Sequence, residues 1–107
     1  MIGVDGSVVT NAGATALVTR TLPAAAAGHH FFFYCADTDG LKITAGTGDT
    51  IRVIDKATGA AGYIQSTAIG SSVTLVAIDA DQWVAVAICG VWTDGTWTFD
   101  NTSLNTP

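Results

Sequence analysis

The chain has 107 residues, 49% of them apolar and only 12% charged, and its four cationic and nine acidic side chains leave a net charge of −5. Arg20, Lys42, Arg52 and Lys56 are too few and too scattered to track nucleic acid phosphates or an anionic membrane, and no apolar run approaches the roughly 20 residues of a membrane-spanning helix. A charge content this far below the roughly 25% of ordinary soluble domains predicts apolar surface shared between subunits.

The length fits one domain, read as an arm (1–6), a β core (7–99) and a flexible tail (100–107). The first residues have neither the basic nor the apolar segment of a signal peptide, which predicts a protein made and folded in a cytoplasm. Residues 7–10 form the first candidate strand, ending at the turn signal Asn11-Ala12-Gly13. A half-buried strand follows over 14–22. Pro23 fixes its own φ and holds Leu22 extended, so the ladder must stop there, and Gly28 permits a reversal at positive φ. One turn of helix, at 23–27, is the most the small residues allow.

The run His30–Cys35 is apolar on both parities, which predicts a strand covered on both faces. Strands are also expected at 41–45 and 50–54, with a short edge strand at 63–66, each bounded by Gly and Asp turn residues. The clearest hairpin joins 72–78 to 82–89 through Asp79-Ala80-Asp81, and its core is expected to contain Val73, Leu75, Val84 and Val86. A terminal hairpin pairs 91–93 with 96–99 around Asp94-Gly95, the pair favoured in two-residue turns. All nine acids are Asp, a turn former, with no Glu. Strands at 8–12-residue spacing without a helical period predict an all-β fold, an antiparallel sandwich or barrel.

Little in the chain suggests chemistry. His29 and His30 are adjacent, so in a strand they point to opposite faces and cannot simply share a metal. Asp37-Thr38-Asp39-Gly40 and Asp79-Ala80-Asp81 lack most ligands of a calcium loop and read as solvated turns. Gly46-Thr47-Gly48 is not followed by the Lys-Ser/Thr of a phosphate loop, and no serine lies in a nucleophile elbow. No cofactor or metal is expected. Cys35 and Cys89 read as free thiols, with a disulfide possible only if their strands are neighbours. Trp83 is expected in the core. Trp92, Trp97 and Phe99, beside the terminal turn, are candidates for a subunit interface or for ligand contact.

The succession 21–28 (TLPAAAAG), 41–44 (LKIT), 48–51 (GDTI), 62–66 (GYIQS), 70–76 (GSSVTLV) and 82–86 (QWVAV) resembles small β-rich virion modules of tailed bacteriophages, which occur in capsid decoration proteins, head fibres and tail fibres. The resemblance spans about residues 7–98. It implies a β-rich homotrimer with a structural role and no catalytic residues to carry over. A small separate protein of this kind is expected to be a capsid decoration (cement) protein. It would be made in the bacterial host cytoplasm, bind the major capsid protein on the virion exterior, and stabilise the shell. Ile2 and Val4 are then the candidate capsid contacts, able to add as a short strand to an exposed sheet edge. The alternative is a tail-fibre or spike module that binds a host receptor or glycan through Trp92 and Trp97.

Overall fold

A computed structural model describes residues 6–100 as eleven strands and no helix. They are β1 (Val8–Thr10), β2 (Val18–Thr21), β3 (His30–Tyr34), β4 (Leu41–Thr44), β5 (Thr50–Val53), β6 (Lys56–Ala57), β7 (Tyr63–Ser66), β8 (Ser72–Ala77), β9 (Gln82–Cys89), β10 (Val91–Thr93) and β11 (Thr98–Asp100). Ile2 and Val4 lie outside the described residues, as does the tail from residue 101.

Two sheets pack as a sandwich. One has the order β1-β3-β8-β9-β5-β6 and the other β11-β10-β7-β4-β2. Both are mixed rather than antiparallel: β1 runs parallel to β3, β2 to β4 and β5 to β9. The expected edge strand at 63–66 is internal, because β7 sits between β4 and β10. The two-residue strand β6, which adds to β5 through the tight turn Ile54-Asp55, carries too little pattern to be read from sequence.

The core follows from period-two alternation. Phe31 and Phe33 on β3, Val73 and Leu75 on β8, and Ile51 and Val53 on β5 point inward with exposures of 2% or less. Leu41 and Ile43 on β4, Ile64 on β7 and Trp92 on β10 meet them at 0%. Phe31 packs on Trp83 with ring centroids 5.9 Å apart. The Trp83 indole N–H is buried there with no acceptor.

The Pro23 segment is a crossover between sheets, neither a hairpin nor a helix. After β2 the Leu22 N–H donates to the Thr44 carbonyl (2.8 Å), and after the crossing the Gly28 N–H donates to the Ala77 carbonyl of the other sheet (3.0 Å). Between them Leu22 (2% exposed) and Ala25 (7%) plug the end of the core. Gly28 adopts φ +98°, the left-handed region its missing Cβ makes accessible.

The β8–β9 hairpin contains a bulge that overturns part of the expected core. Leu75 pairs with Ala85 and Thr74 with Ala87, so Val86 has no partner. One extra residue reverses the alternation beyond it. Trp83 and Ala85 face inward before the bulge and Ile88 after it, while Val84 is only half-buried and Val86 is 60% exposed. Val73 and Leu75 are core residues; Val84 and Val86 belong to the outer face.

The terminal loop also differs. Thr93 pairs with Thr98, so the connection has four residues, Asp94 to Trp97, instead of two. Asp94 Oδ1 accepts the N–H groups of Thr96 (2.8 Å) and Trp97 (3.0 Å) and the Thr96 hydroxyl (2.8 Å), a wrap that a two-residue turn could not hold.

Candidate interaction surface

The polar side chains mostly hold the frame. Asp37 Oδ1 accepts the Asp39 N–H at 2.9 Å and Asp79 Oδ1 accepts the Asp81 N–H at 2.8 Å, so both segments read as solvated turns are self-bonded turns. Burial opposes the charge on Asp94, but the N–H donors of Trp97 and Thr96 and the Thr96 hydroxyl outweigh it and hold the carboxyl below its ordinary value.

Two staples have no local signature. Asp49 is 5% exposed, and its Oδ2 accepts the Ala25 N–H at 2.9 Å, tying the crossover to the β4–β5 turn. Asn11 is 2% exposed; its Oδ1 accepts from Ala36 (2.7 Å) and Asp37 (3.0 Å), and its Nδ2 donates to the Asp37 carbonyl (2.9 Å). In sequence both read as turn residues, because their partners are 24 to 26 positions away.

Among the described residues no group of three His, Cys, Asp or Glu side chains is placed to hold a metal, and no helix is long and apolar enough to cross a membrane. Cys35 is a buried free thiol and Cys89 an exposed one on the outer face, so they do not pair. A shallow pocket of about 160 Å³, lined by Gln65, Ser66, Thr67, Ala68, Val91 and Thr93, contains no ionisable group and is smaller than the ~300 Å³ at which small-molecule sites begin.

The aromatic candidates turn inward. Trp92 is 0% exposed, and its indole N–H donates to the Cys89 carbonyl at 3.2 Å. Phe99 pairs with Trp92 in register and therefore shares its inner side; it is half-buried against the core. Trp97 is half-buried against the same core, with its N–H toward the Ala57 carbonyl at 3.4 Å. Trp92 is therefore not available to stack on a ligand, and no platform of two exposed tryptophans forms.

What distinguishes the surface is the contrast between the two outer sheet faces. On the five-stranded sheet, Thr19, Lys42, Gln65, Thr93 and Thr98 lie in register or alternate outward beside inward-facing neighbours. Lys42 Nζ stands 4.2 Å over the Tyr63 ring. This face is polar.

The six-stranded sheet presents the opposite chemistry. One outward row runs His30, Val76, Val84, Arg52 across four strands. The next runs Val8, Phe32, Thr74, Ala87, with Val86 bulging beside it. Ile78 (51% exposed) closes one end, and Tyr34 (37%) lies toward the other. Val8 is 66% exposed and Val86 60%. The double-sided apolar pattern of β3, β8 and β9 predicted cover on both faces; among the described residues only the inner face is covered. No protein-family model, curated protein or solved structure matches the chain.

Proposed function

We propose that the protein is a capsid decoration protein of a tailed bacteriophage. In this reading a homotrimer binds the major capsid protein on the virion exterior and reinforces the shell by binding energy alone. Contacts made only with the assembled lattice stabilise that lattice by mass action. The sequence resemblance supports this role, and the observation that carries it is the use of polar side chains. Asp37, Asp49, Asp79, Asp94 and Asn11 are engaged in turns and staples, and the two sheets present contrasting outer faces. Such a molecule acts through surfaces. The fibre alternative relied on Trp92 beside Trp97, and the burial of Trp92 leaves it without that platform.

Ile2 and Val4, which precede the edge strand β1 in the sequence, are the proposed shell contacts, by strand addition to an exposed sheet edge of the capsid protein. The test mixes purified protein with expanded, undecorated capsids of the phage that encodes it. Saturable binding and raised capsid heat resistance are expected, and deletion of residues 1–6 should abolish both while the domain still melts cooperatively. Capsids that neither bind the protein nor gain heat resistance would refute the decoration role. Binding that survives the deletion would move the contact off the arm.

A further inference from the structure

We infer that the outer face of the six-stranded sheet is the subunit seam, covered in the assembled protein by further copies of this chain. The inference rests on the self-assembly in the reading above and locates its contact surface.

The first support is the anatomy of the face. Its centre, on β3, β8 and β9, consists of Phe32, Val76, Val84 and Val86 with small Thr and Ala neighbours. Its charged residue, Arg52, sits toward the margin on β5, and His30 and Tyr34 lie at the ends of β3. Val8 on the edge strand and Ile78 at one end extend the apolar surface to the margin, and a charge-depleted apolar centre is the organisation of a protein interface. The five-stranded sheet, facing water with Thr, Gln and Lys, shows what this chain does with a face it leaves hydrated.

The second support is charge. The chain carries −5, so two copies repel unless their carboxylates stay clear of the contact. Asp37, Asp39, Asp49, Asp55, Asp79 and Asp81 all lie in connections between strands, Asp94 lies in the terminal loop, and Asp100 is on β11 of the other sheet. Among the described residues none stands on this face. A basic partner would call for acids here. An equally acidic partner, such as a second copy, requires their absence.

The third support is size. The five strands β1, β3, β8, β9 and β5 hold 26 residues, which at about 4.8 Å between strands and about 3.4 Å per residue present ~420 Å² per copy. Two such faces remove ~850 Å² from water, close to the ~1,000 Å² of a specific interface, whereas a short peptide laid across the sheet would cover only a fraction of it.

The test is the solution mass of the full chain at micromolar concentration, by light scattering after size exclusion. Wild type should have three times the 10.9 kDa chain mass. Val86→Asp puts a carboxylate in the seam at a position that is 60% exposed in the single chain, so the fold should survive while self-association weakens about 100-fold or more. Val86→Lys should do the same, which guards against one variant failing to fold, and both are checked for a cooperative melt. Thr19→Asp, exposed on the hydrated sheet, should leave the mass unchanged. A wild type of single-chain mass would overturn the inference, as would folded Val86 variants that keep the wild-type mass. A two-chain mass abolished by the Val86 variants would keep the seam and refute the trimer. Capsid coating, measured separately, decides the decoration role whatever the seam result.

Discussion

Trp83 and Trp92 are both 0% exposed, yet their indole N–H groups differ: that of Trp92 donates to the Cys89 carbonyl, and that of Trp83 has no acceptor. The same substitution, Trp→Phe, should therefore have unequal costs. Loss of ring volume is common to both, about 1–2 kcal/mol at roughly 0.8 kcal/mol per CH₂-sized group. At Trp92 the lost hydrogen bond adds about 1 kcal/mol. At Trp83 the substitution removes a buried unsatisfied donor, which returns about 1–3 kcal/mol. Trp83→Phe should then be nearly neutral or mildly stabilising and Trp92→Phe should cost about 2–3 kcal/mol, and because the ring-volume loss cancels the gap is roughly 2–4 kcal/mol. The assay is urea unfolding followed by far-UV circular dichroism, since removing either residue changes the fluorescence. Protein concentration is held constant because self-association would enter the apparent stability. Equal midpoint shifts, or a larger loss for Trp83→Phe, would show that the missing acceptor has no energetic consequence.

Leu75→Ala, at a fully buried site on a central strand, should cost about 2–5 kcal/mol in the same assay, while Val86→Ala on the bulge should stay within about 0.5 kcal/mol when measured on dissociated protein. Gly90 has φ +92°, and a Cβ there would lie 2.7 Å from the Ser71 Cα, whereas Gly48 at φ +81° faces open space; Gly90→Ala should prevent stable folding and Gly48→Ala should cost only about 1–2 kcal/mol, as thermal melts would show. Ile54 is β-branched at φ +57° in the β5–β6 turn, so Ile54→Asn should stabilise by about 1 kcal/mol; a lowered melting temperature would show that the turn is not strained. Asp94 is held below its ordinary 3.8, so its contribution is complete above that pH and is lost as pH falls through the lower folded value; its carboxyl midpoint by NMR should lie below 3.8, and amide protection in the β10–β11 hairpin should fall over the same range.

Local pattern was enough to place strands wherever it was strong. Alternation in Leu41–Thr44, the breaker Pro23, and turns rich in Asp and Gly act within a few residues, where backbone geometry alone decides. The apolar excess of β3, β8 and β9 also stood in the sequence, as did the shortage of charge. Partner choice was another matter. The parallel pairs of β2 with β4 and of β5 with β9 depend on which connections cross between sheets, and nothing within a strand encodes that. A single unpaired residue at the bulge turned Val86 outward, and one register pair turned Trp92 and Phe99 inward. Asn11 and Asp49 became staples because folding brought backbone N–H groups from 24 to 26 positions away to their side chains. Sequence determined which segments are extended and how much apolar surface must be covered; tertiary packing decided which face of each strand is inside, because a period of two makes that choice reversible by one residue.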